Sequence, residues 1–435
     1  MTSTTPLSLG YDHSRQRKER WLLVLAFMFL AINYAALAIQ DYALPSIGIQ
    51  LLIWAGCAIG GHVLLNRFLP DRDILLFPLV MFLGGWSVLV IERLSPIFAD
   101  RQIIWLLVAV GALLVTAIFR QPLYWLRQYR YTLFFGGLTL LVATIILGRN
   151  PSGFGPELWL EIPLVFDSVY FQPSEALKII LVAFLASYLG EQYPIMRRLD
   201  KRGDEPSAAF PMRILGPILL MWGLCIIMLI WQRDLGTAAL FFIVFLTLLY
   251  IASTRLEIML GGGILLGLAG ILAYVVIDLV QLRIDIWLNP WPDADGRAYQ
   301  IVQSLMAFSA GGIFGQGIGQ GSPGYIPVVH SDFVLAAIAE EWGLLGVLAI
   351  VVVIAIIVVR AAHIGLRNQT RPFYTLLAIG ISLLIGVQSL LIMMGILKLL
   401  PLTGVTLPFV SYGGSSLLVS FIMIGLLLRL SSRRA

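Results

Sequence analysis

Apolar residues fill this chain in runs of about twenty, separated by short polar connections, and the pattern repeats along its whole length. A hydrocarbon layer of about 30 Å is crossed by roughly twenty residues of α-helix. The runs over 21–39, 46–66, 74–92, 103–119, 131–148, 175–190, 213–231, 235–253, 257–280, 333–359, 375–396 and 415–428 each suit one crossing. They predict an all-α fold, a polytopic transmembrane helical bundle of about 12 spans. Period-two alternation is absent from them, so helices rather than a barrel satisfy the backbone in lipid. The first run is too long for a signal h-region and no small-residue cleavage pattern follows it, so it is expected to be the first span.

Composition agrees with this reading. Of 435 residues, 59% are hydrophobic and 12% charged, about half the charge of a soluble domain. Cys57 and Cys225 both fall inside predicted spans and read as small buried hydrophobes. The net charge of +5 matters through its distribution. Alternate loops carry 21 of the 29 Lys and Arg residues, and the other side holds Arg93, Arg101, Arg149, Lys178, Arg233, Arg283, Arg297 and Lys398. The positive-inside rule then predicts both termini in the cytoplasm. Residues 1–20 read as a basic cytoplasmic tail and 21–435 as a single transmembrane domain, with a long extracytoplasmic loop, 281–331, before the tenth span. The basic loops act as orientation signals and contain no nucleic-acid module.

Polar residues concentrate on the outer side, in 149–175, 281–331, 398–414 and a tight turn at Trp231–Asp234, whereas 191–213 reads as a cytoplasmic linker. In the first of these, Pro173 sits at a helix start behind Gln172, with Ser174 placed to cap it, and Glu175 and Lys178 are spaced to pair. In the tight turn, Asp234 is expected to cap the next span beside Arg233. The loop 281–331 opens with Arg283 among aromatic and proline residues suited to the headgroup layer. Its second half, from Tyr299 and Gln300 onward, is a short amphipathic stretch ending in glycines. The glycines lack the spacing and the lysine of a nucleotide loop; a re-entrant or interfacial loop fits them better.

Next come His330, Ser331 and Asp332, with Asp332 expected at the N-cap of the tenth span. Glu340 and Glu341 follow about 12 Å deeper at 1.5 Å per residue. An unpaired charge there costs at least about 2.5 kcal/mol, so they are expected to face the bundle interior with partners, in a structural role. The last outer segment places Ser411, Ser415 and several glycines before the final span, the composition of a loop folded back into a bundle.

These stretches together resemble the SEDS family (shape, elongation, division and sporulation; the RodA/FtsW/SpoVE family). The matching segments are 171–178, 232–237, 299–319, 330–343 and 401–416, in the family's order, and the resemblance covers roughly Leu158 to the C-terminus. Most members have ten spans, so two extra lie near this N-terminus. The resemblance implies a peptidoglycan glycosyltransferase that polymerises lipid II at the outer face of the bacterial cytoplasmic membrane, supporting cell shape, elongation or division. It implies a class B penicillin-binding protein as partner.

The family's essential aspartate matches Asp332, the expected base, and its conserved lysine matches Lys178. Lys178, Arg233 and Arg283 are candidate partners for the pyrophosphate, with a divalent cation, Mg or Mn, as a candidate cofactor. Two departures concern the donor site: Ile392 stands where many members have asparagine, and Tyr170 where some have arginine. A lipid-linked precursor flippase is the alternative reading and a non-catalytic scaffold a third; the one-sidedness of the polar clusters and the lack of an inverted repeat argue against a transporter.

Overall fold

The structure is a computed structural model. It describes residues 7–40, 44–150, 157–163, 168–200, 216, 219, 222–224, 226–227 and 230–432. The described residues are almost wholly helical: α1 (Leu7–Ala38), α2 (Leu44–Phe68), α3 (Leu76–Leu94), α4 (Pro96–Ile118), α5 (Gln121–Gln128), α6 (Arg130–Leu147), α7 (Pro173–Asp200), α8 (Leu235–Ser253), α9 (Leu256–Val276), α10 (Asp278–Leu288), α11 (Tyr299–Gly311), α12 (Val334–Arg367), α13 (Pro372–Ile396) and α14 (Gly414–Ser431). A two-stranded antiparallel hairpin, β1 (Leu160–Pro163) and β2 (Ser168–Phe171), precedes α7.

Eleven of the described helices are long and apolar enough to cross a membrane. They correspond to eleven of the twelve predicted runs. The twelfth, 213–231, falls largely outside the described residues, as does Cys225. Cys57 is buried, as expected of a small hydrophobe.

The chain packs as two compact units. One comprises residues 1–122, 303–360 and 406–435; the other comprises 123–302 and 361–405. In the first unit, α4 lies along α14, where Gly425 lets Leu113 and Thr116 of α4 approach its backbone. Small residues serve this purpose between membrane helices, where apolar burial adds little. In the second unit, α7 packs between α6, α8 and α13. Gly137 admits Leu177, and Gly380 admits Val182.

The N-terminal region is helical. From Leu7 onward it is the first part of α1, and Glu19 is completely buried. Arg72, expected as an orientation charge in a loop, is 1% exposed and forms an ion pair with Glu19 at 2.6 Å. Arg360 likewise pairs with Asp73. A guanidinium and a carboxylate buried together satisfy one another, so these charges bind helix ends.

Candidate active site

Asp332 lies in the first unit, half-buried, and its Oδ1 accepts a hydrogen bond from the Ser331 hydroxyl at 2.9 Å. The expected N-cap is not where it sits. α12 begins at Val334, and it is the Phe333 carbonyl that accepts from the Ala336 and Ala337 amides. Asp332 therefore stands one residue outside the cap.

The segment before it is held firmly. The Tyr412 amide donates to the His330 carbonyl at 2.8 Å, and the Ser411 hydroxyl donates to the Ser331 carbonyl. The His330 ring packs against Phe98 at 4.7 Å and Tyr412 at 5.5 Å between centroids. This burial lowers the pKa of His330 below its ordinary value. Ser411 also accepts from the Leu407 amide, while its carbonyl receives Gln102, a wholly buried residue that donates to Ser87 as well. Ser415 is buried one helical residue into α14. The last outer segment does fold inward, since Leu407, Phe409 and Val410 are almost completely buried.

α12 breaks at Gly343, whose backbone (φ 67°, ψ −165°) is not helical. The break frees carbonyls and amides within the membrane span, and the glycine-rich loop after α11 takes them up. The Gln316 and Gly317 amides donate to the Glu340 and Glu341 carbonyls, and the Leu344 and Leu345 amides donate to Gly312 and Ile313. Positive φ at Gly312, Gly315, Gly317 and Gly319 gives the loop the required path. The glycine-rich loop thus supplies backbone partners at a broken helix.

Glu340 and Glu341 both find partners, as predicted. Glu340 Oε1 accepts from the Ser322 amide at 2.7 Å. Glu341 pairs with Arg93 Nε at 2.8 Å, and the same guanidinium donates to the Gly321 carbonyl.

In the second unit the structure brings Gln172, Ser174, Glu175, Lys178 and Asp234 together. The Lys178 ammonium, 1% exposed, bonds Glu175 at 2.7 Å and Gln388 Oε1 at 3.0 Å. Ser174 is the second residue of α7 rather than its cap. Its hydroxyl receives the Gln172 amide at 3.0 Å and donates to Asp234 Oδ2 at 3.3 Å. Asp234 caps α8 as predicted, accepting from the Thr237 amide at 3.2 Å. Burial raises its carboxyl above the ordinary range, opposed by the Thr237 bonds and by Lys178.

Arg233 holds the turn at φ 60°, with its guanidinium exposed and without a side-chain partner among the described residues. Arg283 donates to the Thr403 carbonyl at 3.3 Å, beside the close approach that Gly236 permits. Gln300 is half-buried on the first turn of α11.

The FtsW/RodA/SpoVE family, described as cell cycle proteins, matches residues 72–435. The chain belongs to this family, the SEDS family. Among its SEDS relatives, the peptidoglycan glycosyltransferase RodA of Mycobacterium tuberculosis is 33% identical over 434 residues, covering 95% of this chain and 90% of the relative. The probable peptidoglycan glycosyltransferase FtsW of Geobacter sulfurreducens is 34% identical over 363 residues, covering 82% and 92%. A chain from a peptidoglycan synthase complex superposes with a TM-score of 0.67 at 24% identity, covering 83% of this chain and 97% of that one. RodA of Thermus thermophilus superposes at 0.57 and 23% identity, covering 83% and 96%. These two likenesses show a SEDS fold.

Three residues that the sequence did not single out as site residues complete the SEDS clusters: Gln388 on Lys178, Arg93 on Glu341, and Gln102 behind Ser411. Gln388 is a polar residue inside an apolar run, a signal of a required partner; Arg93 and Gln102 sit at the edges of their runs and give no such signal. The two departures from the family pattern are both accommodated: Ile392 is fully buried, and Tyr170 pairs with Glu161 across the hairpin.

Proposed function

We propose that the protein is a peptidoglycan glycosyltransferase that polymerises lipid II at the outer face of the bacterial cytoplasmic membrane. One observation carries the reading: across 95% of its length the chain aligns at 33% identity with relatives that bear that activity in their name. In the proposed reaction an acceptor sugar hydroxyl attacks the anomeric carbon of a second lipid-linked chain. The C–O bond to the undecaprenyl pyrophosphate breaks, and a base takes the hydroxyl proton.

Asp332 is the proposed base. The residue is half-buried, the Ser331 hydroxyl donates to its carboxylate, and the bonds to the His330 and Ser331 carbonyls hold the backbone that precedes it. Direct displacement with one base inverts the anomeric centre. The departing pyrophosphate needs positive charge. Arg233, exposed, and Arg283 are the proposed contributors, whereas the buried Lys178 holds Glu175 and Gln388 in place.

Among the described residues no three His, Cys, Asp or Glu side chains converge to hold a metal. Mg or Mn is proposed only as a counter-ion brought with the pyrophosphate, because Mg²⁺ is commonly carried by substrate phosphates. The proposed partner is a class B penicillin-binding protein, which would cross-link the product. The proposed topology has both termini in the cytoplasm.

Asp332→Asn should abolish chain formation from purified lipid II, with a thermal unfolding midpoint like the wild type. Glycan chains made by the variant would sink the assignment of the base. Movement of lipid II across vesicles by the wild type without any polymer would favour a flippase instead.

A further inference from the structure

The elbow between α5 and α6 carries a cavity of about 380 Å³, lined by Tyr124, Arg127, Gln128, Arg130, Tyr131 and Glu191. None of these residues belongs to the clusters described above. Tyr124, Arg127 and Gln128 stand at i, i+3 and i+4, so they share one face of α5. Leu123, at the edge of that face, is buried.

The floor of the cavity is pinned. Arg130 forms an ion pair with Glu191 at 2.6 Å and donates to the Ser187 hydroxyl at 2.8 Å, with the Tyr131 ring 5.1 Å from its guanidinium. Ser187 in turn donates to the Arg127 carbonyl at 3.5 Å, which ties α5 to α7. The single carboxylate in the lining is thus committed to Arg130. The Arg127 guanidinium is exposed and has no side-chain partner among the described residues. The charge left to meet a ligand is positive.

The surroundings indicate where that ligand comes from. Tyr124, Trp125, Tyr129 and Tyr131 are 60%, 52%, 49% and 41% exposed, and α6 enters its apolar run at Arg130. Exposed tyrosine and tryptophan at the end of a span mark the membrane interface. An anion met at that depth is a lipid headgroup, and basic pockets between membrane helices recognise such groups.

We propose that this cavity binds the phosphodiester of an anionic phospholipid headgroup. Arg127 is the principal contact, and the Tyr124 hydroxyl and Gln128 amide donate beside it. The site is independent of the glycosyl-transfer chemistry.

The test uses the purified full-length chain in neutral detergent, with native mass spectrometry counting retained phosphatidylglycerol against phosphatidylcholine. Wild type should retain phosphatidylglycerol preferentially. Arg127→Gln should weaken that retention about fivefold, the contribution of one interfacial arginine. Arg120→Gln, a nearby cation outside the lining, should leave it within about twofold. Because Arg127 is exposed, its variant keeps the fold, which the melting temperature checks. Equal loss in both variants, or no loss in Arg127→Gln, would overturn the site. Displacement of the lipid by an equal concentration of glycerol 3-phosphate would assign the cavity to free phosphate esters and overturn the lipid reading.

Discussion

Lys178 illustrates what a buried charge demands. Its ammonium and the Glu175 carboxylate are both removed from solvent and meet at 2.7 Å, with Gln388 as a third partner. Such a pair contributes little net stability, but removing one member strands the other. Lys178→Met should therefore cost about 3–5 kcal/mol, read as a lowered thermal midpoint, whereas the double variant with Glu175→Leu should recover much of it. If the double variant melts no higher than the single one, the pair is not the reason for the loss. His330 makes a second residue-scale case. Burial holds its folded pKa below the ordinary 6.5, so the unfolded chain takes up the proton first as pH falls. The stability conferred by the neutral ring is complete above about 6.5 and is lost as pH falls through the folded value. Wild type should melt progressively lower on acidification below that point, and His330→Gln should flatten this part of the profile. An unchanged slope in the variant would assign the acid sensitivity to other groups.

At the scale of elements, the break in α12 is the feature on which the glycine loop depends. Gly343 sits in a backbone region that only glycine adopts readily, and a Cβ there would meet the Gly315 amide and the Ile313 carbonyl. Gly343→Ala should cost about 1–3 kcal/mol from the backbone alone, before any steric contribution. Hydrogen exchange should quicken at the Gln316, Gly317, Leu344 and Leu345 amides, which bond across the break. If exchange there stays at wild-type rates, the loop does not depend on the break. The sequence made the two sides of this motif legible, the glycines and the buried glutamates, because polar residues stand out in an apolar run. The break between them was hidden, since Gly343 is one of many glycines in spans and hydropathy does not sense φ. Asp332 was legible as a candidate for chemistry, but its place one residue outside the cap was not, because Asp and Phe at a helix entry differ only in geometry. The pairing of Lys178 with Glu175 followed from their i,i+3 spacing. Gln388 could not be paired with them from sequence, because it lies 210 positions further along. The two N-terminal helices also carry more than added length. They lie outside the matched region 72–435, yet Gln40 donates to the Ile318 carbonyl and Asn33 accepts from Trp342, bracing the same loop and half-helix.

For the whole molecule, the number of crossings decides where the C-terminus lies. Eleven described helices would put the two termini on opposite faces of the membrane, and twelve would put them on the same face. The second unit bears on that count. Ser174, in the first turn of α7, bonds Asp234, the cap of α8, at 3.3 Å, so both helices start at the same level. The apolar part of α7 runs for 20 residues, Pro173–Gln192, about 30 Å of rise and one full crossing. A chain that leaves α7 at its far end and starts α8 level with the start of α7 is expected to cross once more between them. The apolar run 213–231 is the stretch long enough to do so, and its described residues, among them Trp222 and Ile230, are helical. Counted as the twelfth crossing, that run gives an even parity, in keeping with the split of the basic residues between alternate loops. Single cysteines placed at Ser8 and Ala435, in a background with Cys57 and Cys225 replaced by alanine, should both resist a membrane-impermeant maleimide in intact cells and both react after permeabilisation. Labelling of one terminus and not the other in intact cells would return the count to an odd number and would undo the sidedness from which Asp332 is assigned to the outer face.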